Sequence, residues 1–211
     1  VNDTYMFNPV KYVYELSNSL NNIYEDTSII KIKKNKNYYS CYTDKYEIKC
    51  KYIVLACHYP YFLFPYLFPI KGILEKSYLS ASKYTGKKLS IISYSYPFTS
   101  IRTYKDYLIY LANSHIINND TCDKINFNEL NTKIKELNLS GEFFWSNSDI
   151  MTNDGLPYIG KIKKNILIAT GFNTWGLTSS NIASKIISDI ILNKKNEYIE
   201  LFNPRRINIY Q

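Results

Sequence analysis

The stretch from Asn165 to Leu192, NILIATGFNTWGLTSSNIASKIISDIIL, constrains the fold more than any other part of the chain. It opens with apolar, β-prone residues, Ile166 to Thr170, which predict a buried strand. Gly171, a short aromatic loop and Gly176 follow. From about Leu177 apolar residues recur at helical spacing, which predicts an amphipathic helix. The sequence therefore predicts a strand–loop–helix unit whose loop is shaped by two glycines.

The composition of this loop suits a ligand, although an ordinary structural role explains it as well. Glycine lets the backbone turn sharply or approach a ligand without a Cβ in the way. The helix start offers free N–H groups and partial positive charge, and Thr178 and Ser179 are candidates for its cap. Phe172 and Trp175 are candidates for the walls around a flat ring. Spacing alone favours the alternative, a plain strand–turn–helix joint whose aromatics lie in the core.

Composition narrows the classes of protein to consider. The chain has 211 residues, 45% of them hydrophobic, which is enough for one domain or two interleaved lobes with a core. The formal charge is +8, but the basic residues are spread in ones and twos, so we interpret them as solvated faces and expect no nucleic-acid partner. Four cysteines without a CxxC pair and two histidines predict no metal site and reduced, buried thiols within apolar strands. No membrane span or secretion signal is present, so we expect a cytoplasmic protein without a membrane partner.

Hydrophobic patterning divides the chain into a β-rich centre flanked by mixed ends. Helical spacing from Val10 to Ile23 follows Pro9, which suits a first helical turn. Short strands follow, and the last of them, in KYIVLAC, is continuous and apolar, as expected for a strand covered on both faces. The proline- and aromatic-rich run from Tyr59 to Pro69 predicts a packed connector. Residues 70–110 predict an antiparallel sheet, and 126–139 a helix capped by Asn126 or Asn128.

Several motifs in order resemble a known family. The stretch MTNDGLPYIGKIKKNILIATGFNTWGLTSSNIASKIISDIIL is similar to the C-terminal signature of the FAD-dependent oxidoreductases of the D-amino-acid oxidase and glycine oxidase superfamily. NPVKYVYELSNSLNNIYEDTSIIKIKK and CKYIVLAC resemble that family's middle helix with its following strand and its second A-T-G strand. Further motifs resemble a bacterial subgroup of this family whose members often carry a C-terminal Rieske domain. These motifs are CHYPY, SYLSASKY, SIRTY, NSHIIN, FFWSNSDIMT and EYIELFNPRR. The resemblance runs from about Phe7 to Arg206.

The resemblance implies an α/β fold in two lobes. Residues 1–62 and 150–211 would form an incomplete Rossmann-like FAD-binding lobe, and residues 63–149 an inserted α+β substrate lobe with an antiparallel sheet. The implied cofactor is FAD, with the last helix start stabilising negative charge on the reduced ring. A small-molecule substrate and a Rieske-type electron-transfer partner are also implied. By motif, the cofactor-binding residues would be Gly171, Phe172, Trp175, Gly176, Leu177, Thr178, Asp154, Gly155, Ile29, Ala56 and Cys57.

The sequence departs from the family pattern in two ways. The family opens with G-x-G-x-x-G on a helix N-terminus, and none of the seven glycines here has that spacing. We therefore expect these residues to be the C-terminal two-thirds of the enzyme, which need a missing N-terminal segment and bind FAD weakly or not at all alone. The family's amino-acid oxidases also clamp the substrate carboxylate with an arginine, near whose place Asp149 stands. An amino-acid oxidase activity is thus in doubt.

Candidates for catalytic roles are Arg102, His58 and His115. Arg102 is the candidate anion clamp, with a surface or inter-lobe salt bridge as its alternative. The histidines are candidates for proton transfer, although hydride transfer to flavin in the family needs no protein base. The expected activity is hydride removal from a small amine, amino acid or hydroxy acid. A non-catalytic remnant acting as a binding module and a basic nucleic-acid binder stay open as alternatives.

Overall fold

The structure is a computed structural model that describes residues 7–59, 72–118 and 122–206. The described residues form three helices and eleven strands. The elements are α1 Pro9–Ser17, β1 Lys31–Lys34, β2 Tyr39–Tyr42, β3 Glu47–Cys50, β4 Ile53–Leu55, β5 Gly72–Lys83, β6 Ser90–Ile92, β7 Ser100–Tyr104, β8 Tyr107–Ile116, α2 Asp123–Glu136, β9 Gly141–Thr152, β10 Tyr158–Lys163, β11 Ile166–Thr170 and α3 Gly176–Ile191. The predicted connector from Tyr59 to Pro69 lies, except for Tyr59, outside the described residues. Within the described ranges, no helix has both the length and the apolar composition that crossing a membrane requires.

Helix α1 begins as predicted but is shorter and more exposed than its pattern suggests. Asn8 caps it, since its Oδ1 accepts a hydrogen bond of 3.0 Å from the Lys11 N–H, and Pro9 takes the first helical position. The helix ends at Ser17, so the last apolar residues of the predicted stripe lie beyond it. No residue of α1 is buried, and Val13 is 56% exposed.

Two small three-stranded sheets contain the predicted strands β1 to β4 and β11, together with β10, which was not predicted. The first has the order β1-β2-β3 with antiparallel pairing, and its central strand buries Tyr39, Ser40 and Cys41. The second has the order β10-β11-β4, in which β11 and β4 are parallel. All five residues of β11 are buried, as predicted. The prediction that β4 is covered on both faces is not met in the described structure, where Val54 at the centre of the strand is 41% exposed.

The β-rich centre forms a five-stranded antiparallel sheet of order β6-β7-β8-β5-β9, as the sequence predicts. Helix α2 packs on one face through Leu130 and Ile134, which lie fully buried against Tyr78 and Ala112. The predicted caps of α2 are wrong: the helix begins at Asp123, and the Asn126 side chain donates to the Cys122 carbonyl from within the first turn.

The four cysteines are free thiols in different surroundings. Cys41 is buried, with its Sγ 3.8 Å from that of Cys50 on the neighbouring strand. Burial and the neighbouring Cys50 raise the pKa of the Cys41 thiol to about 11. Cys122 is exposed just before α2, so the prediction that all four are buried within strands is wrong for this residue.

The described residues divide into two compact units that interleave along the chain. The first comprises residues 7–55, 159–168 and 177–204, and the second residues 56–59, 72–118, 122–158, 169–176 and 205–206. The β-rich sheet, the turn after β9 and the glycine loop thus fall in the second unit. The division into lobes at 62 and 150 stays a prediction.

Candidate functional site

The turn after β9, residues 153–157, is held by an arginine from the far end of the described chain. Arg206 Nε donates to Asp154 Oδ2 at 2.6 Å and its Nη2 to Oδ1 at 2.9 Å. The same guanidinium donates to the carbonyls of Leu156 and Pro157 and lies 4.0 Å from the Tyr158 ring centroid. Hydrogen bonds from Arg206 hold the pKa of the Asp154 carboxyl below its usual range. The predicted site residue Asp154 therefore shapes the turn, and Arg206 is a partner that the sequence analysis missed.

Asp154 and Gly155 also set the local course of this turn. Asp154 Oδ1 accepts a hydrogen bond of 3.1 Å from the Leu156 N–H, as in an Asx turn. Gly155 has φ +71°, a left-handed conformation that side chains with a Cβ rarely adopt. A Cβ built on Gly155 meets nothing within 4 Å, so this position faces open space.

The glycine loop, residues 171–176, is fastened to the end of β9 by one asparagine. Asn173 Oδ1 accepts from the Thr152 N–H at 2.7 Å, and its Nδ2 donates to the Gly171 carbonyl at 3.0 Å. Gly171 has φ +68°, and a Cβ there would lie 2.5 Å from Thr152 Cγ2. The space freed by Gly171 in that direction is thus filled by Thr152, so packing explains this glycine without a ligand.

Gly176 is different, because the space beside it is open. A Cβ at this position would meet only Phe172 Cδ2, at 3.9 Å. Trp175 is 63% exposed and Leu177 42% exposed, and Phe172 is half-buried. Helix α3 begins at Gly176, so Thr178 and Ser179 lie inside its first turn rather than at the predicted cap. In the described chain no side chain or loop carbonyl accepts a hydrogen bond from the amides of residues 176–178.

A groove of about 640 Å³ adjoins the first turn of α3 in the first unit. Leu177, Thr178 and Asn181 of α3 line it on one side, and residues at the start of α1 line the other, including Lys11 and Tyr12. Its volume lies in the range of small-molecule sites. The residues that continue from the glycine loop into α3 therefore remain accessible to a ligand or a protein segment.

The carboxyl ends of β4 and β11 bring two predicted segments to the same sheet edge. Leu55 pairs with Ile168 in the parallel ladder, so Ala56 and Cys57 leave the sheet beside the end of β11. Thr170 Oγ1 donates to the His58 carbonyl at 2.7 Å. Burial raises the pKa of the Cys57 thiol. Ile29, the remaining predicted residue, is half-buried just before β1 in the first unit.

The three candidate catalytic residues lie in different places within the second unit. His58 is exposed, with its Nε2 3.8 Å from Asp149 Oδ1. His115 stacks on the buried Tyr78 ring at 5.7 Å, on the side covered by α2, and its Nδ1 lies 2.9 Å from the Asn113 carbonyl. Arg102 is exposed on β7, with Ile109 opposite on β8. These residues do not form one constellation, and in the described ranges no three His, Cys, Asp or Glu side chains converge as a metal site would require.

Comparisons with known proteins agree with the motifs. No protein-family model matches the chain. It is 28% identical over 220 residues to the putative Rieske 2Fe-2S iron-sulfur protein YhfW of Bacillus subtilis strain 168, covering 96% of this chain and 43% of that protein. The chain thus spans less than half the length of this curated relative.

Solved structures give the fold. Glycine oxidase from Geobacillus kaustophilus superposes with a TM-score of 0.71 at 17% identity, covering 88% of this chain and 54% of that one. L-proline dehydrogenase from P. horikoshii superposes with a TM-score of 0.69 at 20% identity, covering 85% and 53%. The fold that the motifs imply is confirmed: the chain has about half of the fold that glycine oxidase and L-proline dehydrogenase share.

Proposed function

We propose that this chain forms the ring-binding loop and the substrate sheet of a FAD-dependent oxidoreductase. The complete enzyme would remove a hydride from a small amine, amino acid or hydroxy acid. The observation that carries the proposal is the start of α3. The space beside Gly176 is open, the amides of residues 176–178 have no acceptor outside the helix in the described chain, and the ring of Trp175 is exposed. Such a helix start favours a group that becomes anionic.

The described residues fit FAD at this loop. Phe172 and Trp175 would flank the flat ring, and the amides of Gly176, Leu177 and Thr178 would face the edge that gains negative charge. Asn173 and the Arg206–Asp154 pair would keep the loop and the turn rigid, so little ordering free energy is lost on binding. When bound, FAD would supply the hydride acceptor, which no protein side chain provides.

We further propose that a nucleotide-binding segment outside these 211 residues completes the cofactor site. No G-x-G-x-x-G is present among the seven glycines. The apolar residues of α1 are uncovered in the described structure, with Val10 76% and Leu16 50% exposed. The edge strand β4 is also free to pair on one side within the described chain. A helical and strand-forming segment would cover these surfaces.

The test uses the polypeptide encoded by the whole reading frame that contains these residues. It is expected to purify with oxidised flavin, seen in its visible absorbance, whereas the present chain alone takes up little FAD. Gly176→Val is expected to abolish flavin uptake while the fold persists, because the new side chain enters space that the protein leaves open. Gly86→Val, in the connection between β5 and β6, is the matched control and should retain flavin. A colourless full-length protein that takes up no added FAD would contradict the proposal.

A further inference from the structure

Two cysteines meet on one face of the small β1-β2-β3 sheet in the first unit. In the antiparallel register Cys41 of β2 opposes Ile48 of β3. Cys50 of β3 opposes Tyr39, two positions before Cys41, so the two cysteines are diagonal neighbours on the same face. Their Sγ atoms lie 3.8 Å apart, and both thiols are free. We call Cys41 and Cys50 the thiol pair.

The two thiols differ in their access to solvent. Cys41 lies in the central strand and is 6% exposed, whereas Cys50 is partly exposed at the end of β3. The three residues of β3 that precede Cys50 are all exposed. Burial raises the pKa of the Cys41 thiol, so this thiol stays protonated at neutral pH and is a poor first nucleophile. A small dissolved oxidant therefore meets Cys50 first.

A covalent bond between the two sulfurs needs only a short movement. Bonded sulfurs lie about 2.05 Å apart, so the two Sγ atoms must approach each other by roughly 1.8 Å. Rotation of the two side chains and a small shift of β3 supply this approach, because β3 is the edge strand of its sheet within the described chain. The turn between the strands fixes the register, since Thr43 Oγ1 accepts hydrogen bonds from the Lys45 and Tyr46 N–H groups at 3.1 and 2.8 Å.

We propose that the thiol pair is a modification site for hydrogen peroxide, at which Cys50 is oxidised first and Cys41 then closes a reversible disulfide. The Cys50 thiolate attacks the O–O bond, which gives a sulfenic acid and a hydroxide that takes up the thiol proton. The Cys41 sulfur then attacks the sulfenic sulfur, the S–O bond breaks, and a second water leaves. The two thiols lose two electrons and two protons, and one peroxide is reduced to two waters.

Only the supply of the oxidant rests on the proposed function. A reduced flavin that passes its electrons to dioxygen yields hydrogen peroxide, so an oxidase of the proposed kind produces this oxidant beside its own chain. The site itself depends on the positions of the two sulfurs alone. In reducing compartments, transient disulfides of this kind commonly sense oxidants.

The test uses the chain itself, without flavin, and adds hydrogen peroxide at neutral pH. Trypsin cleaves after Lys45 and Lys49, which lie between the two cysteines, so only a disulfide keeps residues 37–45 and 50–51 together. Mass spectrometry is expected to find this cross-linked peptide, lighter by two hydrogens than the sum of its reduced halves. Dithiothreitol should release both halves.

Substitutions separate the two steps. Cys41→Ser is expected to lose the cross-link and to leave a sulfenic acid on Cys50, which dimedone traps. Cys50→Ser should lose both the cross-link and the trapped adduct at this site. Cys57→Ser and Cys122→Ser are the matched controls and should retain the cross-link, because both residues belong to the second unit. Should Cys41→Ser fail to fold, as judged by circular dichroism, the peptide map of the wild type decides alone.

Two results would overturn the inference. The first is a folded chain in which Cys41 stays a free thiol after peroxide has oxidised the exposed Cys122. The second is Cys50 joined to Cys57 or Cys122 as often as to Cys41, since the fold would then select no partner. A cross-linked chain whose full-length form takes up no flavin would refute only the proposed oxidoreductase. Flavin uptake without the cross-link would refute only the modification site.

Discussion

Asp154 and Arg206 form an ion pair that lies 52 positions apart in sequence and is almost fully buried, with side chains 1% and 11% exposed. Removing one partner of such a pair leaves an uncompensated buried charge. We therefore expect Asp154→Asn to lower the free energy of unfolding by about 3–5 kcal/mol, measured by urea denaturation. The pair Lys76–Asp123 offers a control: Asp123 is half exposed, so Asp123→Asn should lower the free energy of unfolding much less than Asp154→Asn.

The contribution of Asp154 to the free energy of unfolding depends on pH. Its pKa is lowered in the folded chain, so it stabilises the fold above its unfolded pKa of about 3.9, and this stabilisation is lost as pH falls through the folded pKa. The difference in the free energy of unfolding between the wild type and Asp154→Asn should be constant from about pH 5 to 8 and become smaller below about pH 4. A gap that does not change with pH would show that Asp154 acts through packing alone.

Three glycines in the candidate site are distinguished by what an added methyl group would meet. Gly171→Ala combines a left-handed backbone with a 2.5 Å approach to Thr152, whereas Gly155→Ala has the backbone cost alone, about 1–2 kcal/mol. Gly176→Ala meets no close atom and keeps a backbone conformation open to alanine, so it should stabilise the chain by about 0.4–1 kcal/mol through the unfolded state. Thermal unfolding should thus rank Gly176→Ala above the wild type and Gly171→Ala lowest. A destabilised Gly176→Ala would show that the space beside this residue is not available.

At the scale of elements, α1 is an amphipathic helix whose apolar side is uncovered. Val13→Glu should change the free energy of unfolding by no more than about 0.5 kcal/mol, because no packing is lost. It should also reduce self-association of the isolated chain in sedimentation experiments, since the exposed apolar stripe is a surface for association. Ala183→Glu on α3, where the residue is 3% exposed, is the contrast and should unfold the chain. An unfolded Val13→Glu would mean that α1 is covered.

Elements were predictable where the pattern is local. The strand β11, the glycine loop and α3 are consecutive, so the change from buried run to helical period marks all three. The ends of elements were less predictable. Helix α1, for example, ends at Ser17 although the apolar spacing continues to Ile23. The exposure of β4 was missed because an apolar run does not reveal whether the described chain covers both faces of a strand.

At the scale of the whole molecule, some residues of the candidate site were predictable from local motifs and others were not. The loop glycines and the Asp154 turn were predicted from contiguous motifs. Arg206 was missed because a buried ion pair 52 positions apart leaves no local pattern. Only the fold brings such pairs together.

The net charge of +8 belongs to the whole molecule, and it makes weak binding to any polyanion expected. Several basic side chains are already engaged: Lys76 with Asp123, Lys133 with Asn113 and Arg206 with Asp154. A dispersed charge of this kind contacts few phosphates at once, so affinity for a short DNA duplex should be lost by about 0.15 M salt. Fluorescence anisotropy with two unrelated duplexes and the matching single-stranded RNA measures this. Binding that survives at that salt and prefers one sequence would favour the nucleic-acid alternative over the oxidoreductase.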